Sequence, residues 1–101
     1  MLTSKQRAWL RGIGSKTETS LHIGKSGVTD TVVAQTEEAF HTREMVKGKV
    51  LENAPVTSRE AADILEARLN AVCVQVIGSK FVLYRENKEL HPDKKIKLPK
   101  K

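Results

Sequence analysis

Residues 21–30, Leu-His-Ile-Gly-Lys-Ser-Gly-Val-Thr-Asp, pass from an apolar run through a glycine-rich turn to a helix start. A strand that ends in so short a turn and feeds a capped helix commits the chain to an α/β arrangement, because the helix must lie back across its strand's sheet. Thr29 is the expected N-cap, and Asp30 at the first helical position suits the positive end of the helix dipole. Val28 before the cap and Val33 four residues after it fit a hydrophobic staple. The same stretch aims backbone N–H groups, a helix N-terminus and the Lys25 ammonium at one place, a combination suited to a phosphate.

The flanking sequence supplies the remaining elements. Thr3-x-x-Gln6 is a capping box that opens a helix over 4–12, with Leu2, Gln6, Trp9/Leu10 and Ile13 on its packed stripe. Lys5, Arg7 and Arg11 occupy its other sides, and Gly12 and Gly14 are expected to end it. Ser20–Ile23 reads as a strand, and a second helix follows over 30–42. Met45–Leu51 reads as another strand, in which Lys47 and Lys49 alternate with Val46 and Val50. Gly48 between those lysines predicts a bulge or a close backbone approach. Thr57-x-x-Glu60 opens a third helix over 58–69, and Asn70 is its expected stop. Val72–Ile77 and Phe81–Arg85 form a hairpin around Gly78-Ser79-Lys80. The order is therefore α-β-α-β-α-β-β, giving a four-stranded mixed sheet with helices against it. One domain is expected over 1–85, followed by a flexible basic tail over 86–101.

Charge narrows the partners. The chain of 101 residues carries a formal +6, about half of it contributed by six lysines and three acids after residue 85. That excess favours nucleic acid. A membrane surface fits less well, because no segment joins a basic face to a bulky apolar one. The amino-terminal residues lack the apolar core of a secretory signal, and the apolar run Val72–Ile77 is far too short to span a bilayer. With one cysteine, Cys73, a cytoplasmic location is expected.

Catalytic chemistry finds little to stand on. His22, His41, His91 and Cys73 have no metal-ligand spacing, and no Ser/His/Asp or Cys/His arrangement is suggested. Glu37 and His41 are spaced as a helix-surface pair. Gly24-Lys25-Ser26 invites a nucleotide-binding reading, but a Walker A loop needs a glycine where Thr19 stands and a helix that begins at the lysine. No enzyme, cofactor, metal or small-molecule substrate is expected. Trp9, Phe40, Phe81 and Tyr84 fall on packing faces, Tyr84 being the better stacking candidate, so backbone recognition is favoured over base readout.

Two readings of Gly24-x-x-Gly27 stand side by side: an ordinary turn needing positive φ, and a clamp on a ribose-phosphate chain of the kind KH domains use. Lys47 and Lys49 are likewise either a solubilising strand face or a ligand-facing one.

The sequence His22-Ile23-Gly24-Lys25-Ser26-Gly27-Val28-Thr29 resembles the glycine-loop signature of the CRM domain family (chloroplast RNA splicing and ribosome maturation). Glu44-Met45-Val46-Lys47-Gly48-Lys49-Val50 is similar to one of that family's strands, and Val74 to Arg85 to its closing hairpin. Lys5 to Gly12 and Lys95 to Pro99 resemble the stand-alone bacterial members, the YhbY type. The resemblance implies a fold like the C-terminal domain of translation initiation factor three. It also implies RNA binding and association with precursors of the large ribosomal subunit, so that ribosomal RNA is the expected partner; nothing in the residues suggests an obligate dimer, and a monomer is expected. Carried over by position, Gly24, Lys25, Ser26 and Gly27 form the RNA-contacting loop, with nearby basic residues supporting it; the reading of helix start and charge adds Thr29, and Lys47, Lys49, Lys5, Arg7 and Arg11 as a wider footprint. Gly27→Asp is then expected to weaken RNA binding without unfolding the domain. Gly48 departs from the family's apolar strand residue and is expected to soften the strand or leave a small void. A protein-docking module is the alternative function.

Overall fold

The computed structural model describes residues 2–92 and 95–99; positions 1, 93, 94, 100 and 101 lie outside the described residues. Capping sets the helix starts. Helices α1 (Ser4–Lys16), α2 (Asp30–Phe40) and α3 (Ser58–Leu69) each begin behind a threonine. The hydroxyl oxygens of Thr3, Thr29 and Thr57 accept from the amides of Gln6, Val32 and Glu60, and the first and third caps are complete capping boxes. Asn70 closes α3 in the left-handed region at φ 54°, as expected.

Helix α1 runs to Lys16, past both glycines expected to stop it. A glycine stop depends on positive φ, and neither Gly12 nor Gly14 adopts it. Gly14 serves packing instead. A Cβ there would stand 3.1 Å from both γ-methyls of Val82, so the missing side chain lets the helix settle on the sheet.

The strands are β1 (Thr19–Ile23), β2 (Met45–Val50), β3 (Val72–Ile77) and β4 (Lys80–Tyr84). Their spatial order is β1-β2-β4-β3, with β1 parallel to β2 and the other pairs antiparallel. Element order and mixed sheet match the sequence reading. Gly78, at φ 57°, and Ser79 form the hairpin turn, with glycine in the first loop position that a primed turn requires. Both outer strands carry an irregularity, between Thr19 and Leu21 in β1 and between Cys73 and Gln75 in β3.

The two faces of the sheet have different covers. Leu21, Ile23, Val46, Val50, Phe81 and Leu83 pack under α2 and α3 with Val32, Phe40, Ala61, Leu65 and Leu69. On the opposite face Leu10 of α1 packs with Met45, Val74, Val82 and Tyr84, and the helix lies against β3 and β4. Fully burying a side chain such as Leu10 contributes about 1.5–3 kcal/mol.

Gly48 leaves no void. Phe81 stands directly opposite it across β2 and β4, and a Cβ at Gly48 would fall 2.3 Å from Phe81 Cζ. The aromatic ring occupies the space a side chain would take. Of the two expectations for this glycine, close approach is what β2 shows.

The chain does not leave the body at residue 86. Glu44, buried immediately before β2, accepts from the amides of Asn87 (2.7 Å) and Ile96 (2.6 Å), with Lys95 Nζ at 3.3 Å. Ile96 and Leu98 pack against the α1 core, and Gln6 Nε2 donates to the Pro99 carbonyl at 3.1 Å. A carboxylate taken out of water needs such donors, and the returning chain supplies them. Residues 95–99 form a strap where a flexible tail was expected; positions 93, 94, 100 and 101 of that tail lie outside the described residues.

Arg85, just after β4, ties three elements together. Its guanidinium donates to Glu37 of α2 and to the Leu69 carbonyl of α3 (3.1 Å), and lies 4.8 Å from the centroid of the Phe40 ring. The hydrogen bond from Arg85 holds the Glu37 carboxyl below its ordinary pKa, against a smaller opposing effect of burial. A carboxyl depressed on folding stabilises the protein fully above its unfolded pKa, and that contribution is lost as the pH falls through the folded value. The gap in urea midpoint between wild type and Arg85→Ala is therefore expected to shrink from about pH 7 to about pH 3. A gap independent of pH would contradict the pairing.

Candidate nucleic-acid interface

The loop after β1 is built by its own backbone. The Gly27 amide donates to the Gly24 carbonyl at 2.9 Å, and the Thr29 amide to the Gly27 carbonyl at 3.1 Å. Gly27 adopts φ 73° and is buried, and a Cβ on it would lie 3.2 Å from Pro55 Cγ. Gly24 has open space where a Cβ would project. The two glycines thus do different work: Gly27 shapes the turn, and Gly24 keeps its surface clear.

Lys25 and Ser26 are exposed at the tip, and among the described residues nothing takes their amides. Thr29 Oγ1 accepts from the Val32 amide, and its O–H has no acceptor among the described residues. The loop therefore offers two amides, two hydroxyls and an ammonium beside the positive end of α2, a fitting set for an anion. Asp30 at that helix start is turned to Arg68 of α3, at 3.4 Å.

Gly27→Asp no longer isolates binding. The substitution strains a positive-φ position and crowds Pro55, so it perturbs the fold as well as any contact. Gly24 is the cleaner position.

Charge divides by layer. α1 and the four strands hold seven lysines and arginines and no acid: Lys5, Arg7, Arg11, Lys16, Lys47, Lys49 and Lys80. α2 and α3 hold six acids against Arg59 and Arg68. The α1 side of the sheet is thus basic and the opposite side acidic. The glycine loop sits at the end of the sheet where β1 and β2 finish and the β3–β4 turn lies, since Ile23 pairs with Val50 and Lys49 with Lys80.

The candidate basic residues are not equivalent. Lys47 Nζ donates to the Gly14 carbonyl at 3.2 Å, satisfying a backbone acceptor at the negative end of α1. Arg7 Nη1 reaches the Cys73 carbonyl at 3.4 Å, while Lys5 and Arg11 are exposed. Lys49 is half-buried and joins no ion pair among the described residues. Sequence reasoning missed the two residues beside it, His22 on β1 and Lys80 on β4. Only strand register brings them together, and no local signal in the chain encodes it.

The aromatic assignment changes. Trp9 is 51% exposed on α1 instead of packed. Tyr84 is buried in the α1 core, and burial, then the charges of Glu44 and Glu86, push its hydroxyl up to about 12. It cannot serve as a stacking platform. Burial also pushes the Cys73 thiol up, which disfavours a reactive thiolate. His41 pairs with Glu37 at 3.4 Å on the helix surface, as its spacing predicts. Among the described residues no three His, Cys, Asp or Glu side chains gather as metal ligands, and no helix is long and apolar enough to cross a membrane.

Known proteins align with this chain along its length. Residues 2–85 match the family model of the CRS1 / YhbY (CRM) domain. A Bacillus subtilis protein named "Probable RNA-binding protein YqeI" is 37% identical over 99 residues, 98% of this chain and 100% of its own. A Haemophilus influenzae protein named "RNA-binding protein" is 32% identical over 100 residues, 99% of this chain and 97% of its own. A solution structure from Staphylococcus aureus, described as that of a candidate RNA-binding protein, superposes with a TM-score of 0.79. It is 36% identical and covers 98% of this chain and 100% of its own.

Proposed function

The chain belongs to the CRS1/YhbY (CRM) domain family, and from that premise we propose that it binds ribosomal RNA in large-subunit precursors during ribosome assembly. It acts in the cytoplasm as a monomer, by binding and without turnover. The observation that carries this reading is the separation of charge. A basic α1-side surface with no acid in its helix or strands meets a loop with unoccupied amides. Such a surface attracts a polyanion, and the loop fixes one phosphate of it.

The loop amides of Lys25 and Ser26 and the hydroxyls of Ser26 and Thr29 hold that phosphate, with Lys25 neutralising it or a neighbour. Gly24 lets the RNA backbone approach, and Gly27 sets the bend. Lys49, Lys5 and Arg11 widen the footprint directly. Arg7 and Lys47 contribute charge from positions their own hydrogen bonds fix. About five phosphate contacts give a fall of log affinity with log salt at a slope near −3.5 to −4.5.

Gly24→Asp and Lys25→Glu are each expected to weaken binding to a ribosomal RNA fragment at least tenfold, about 1.4 kcal/mol. Fluorescence anisotropy measures the affinity, and an unchanged Tm shows that the fold is intact. Unaltered affinity in either folded variant would remove the loop from the mechanism. Association with pre-ribosomal particles that survives nuclease and ignores salt would favour the protein-docking alternative.

A further inference from the structure

We infer that the uncovered part of the α1-side sheet face is a second phosphate-binding surface, the cross-strand row His22–Lys49–Lys80, and that it takes the backbone of base-paired RNA. The inference rests on the RNA reading above and adds both a site and a class of ligand to it.

Register creates the row. His22 of β1 pairs with Lys49 of β2, Lys49 with Lys80 of β4, and Lys80 with Ile77 of β3. Directly opposed residues share a face. That face is the α1 side, because Lys47, two residues from Lys49, reaches the α1 carbonyl of Gly14. With strands about 4.8 Å apart, the three side chains of the row span roughly 10 Å of sheet.

The row is costly to the protein alone. Like charges set directly opposite each other destabilise a sheet, and Lys49 faces Lys80. Neither lysine joins an ion pair among the described residues, and no acid lies in any of the four strands. An anion laid across both would relieve the repulsion. Beside the row, a cleft of about 250 Å³ opens between the end of α1 and the sheet, lined by Ser15, Lys47, Gln75, Ile77, Lys80 and Val82.

The absence of an exposed aromatic ring on the strands themselves selects the form of RNA. The strand aromatics are Phe81, packed against Gly48 under α2 and α3, and Tyr84, buried beneath α1. A sheet that reads single strands does so by stacking splayed bases on exposed rings. This one presents cations and the exposed Ile77, and so meets phosphates whose bases are already paired.

The test uses the full chain with two fluorescein-labelled probes, an RNA hairpin with a stem of about 16 base pairs and an unstructured oligouridine. Lys80→Gln is expected to lower hairpin affinity about fivefold and the magnitude of the salt slope by about 0.7–0.9, with less than a twofold effect on oligouridine. Lys49→Gln/Lys80→Gln should lose about twentyfold on the hairpin, with Tm unchanged or raised because the repulsion is gone. Gly24→Asp should weaken both probes, which separates the loop from the row. Hairpin affinity and slope unchanged in folded Lys80→Gln would overturn the row and leave the loop reading standing. Equal losses on both probes would overturn the assignment to paired RNA. A wild-type chain that binds neither probe, but binds an acidic protein, would overturn the row and the RNA reading together.

Discussion

Replacing Glu44 by alanine is expected to cost about 3 kcal/mol, within a range of 2–4, and to free the C-terminal strap. Glu44 is 1% exposed, and its carboxylate gathers the amides of Asn87 and Ile96 and the Lys95 ammonium. Removing it leaves two N–H groups without their acceptor and takes the buried carboxylate from Lys95, whose ammonium keeps the Asn87 carbonyl at 3.0 Å and Glu86 at 3.8 Å. The chain regains hydration for them by peeling away, at the expense of the packing of Ile96 and Leu98 against α1. That escape keeps the cost below the full desolvation of every donor. Glu44→Gln should be milder, about 1–2 kcal/mol, because the amide oxygen still accepts while its NH2 meets a donor. Thermal unfolding measures both, and a drop in Tm of about 10 °C or more is expected for alanine. Limited proteolysis should cut near residues 86–92 in that variant first. A loss under about 1 kcal/mol with the strap still protected would show that Glu44 does not anchor it.

The second large effect is at Gly48. Alanine in place of a strand glycine ordinarily helps, since it narrows the unfolded ensemble. Here Gly48→Ala is expected to destabilise by about 2–3 kcal/mol, because the new methyl would lie 2.3 Å from the rigid end of the Phe81 ring. Phe81 is 1% exposed and has little room to retreat. Adding Phe81→Leu should recover part of the loss, giving a coupling of about 1 kcal/mol or more in a double-mutant cycle followed by urea unfolding. Additive costs would mean that the ring does not oppose the substitution. The pair also has a functional side. By filling the α2–α3 face between Lys47 and Lys49, it holds β2 and β4 in the register that turns Lys49 and Lys80 together towards the other face.

Local chemistry made much of the fold legible. Thr3-Gln6, Thr29 and Thr57-Glu60 announce their helices because a capping side chain and the amide it satisfies lie three residues apart. Asn70 and Gly78 mark their turns through backbone conformations that few residues adopt. What sequence misread is what depends on distance along the chain. Gly14 looks like a stop until Val82 is seen beneath it. The strap looks like a tail because its acceptor is 52 residues away, at Glu44. The candidate site divides in the same way. Its loop can be read from ten consecutive residues, whereas His22, Lys49 and Lys80 become neighbours only when three strands align.

The slipped registers in β1 and β3 fall on the two margins of the sheet. A foreign strand seeking an uninterrupted ladder finds at each margin a kink that throws its hydrogen bonds out of step. Addition of one molecule to the next, the route to fibrils, is therefore obstructed at both sides. Deleting Ser20 would straighten one margin, and a more aggregation-prone protein is the consequence.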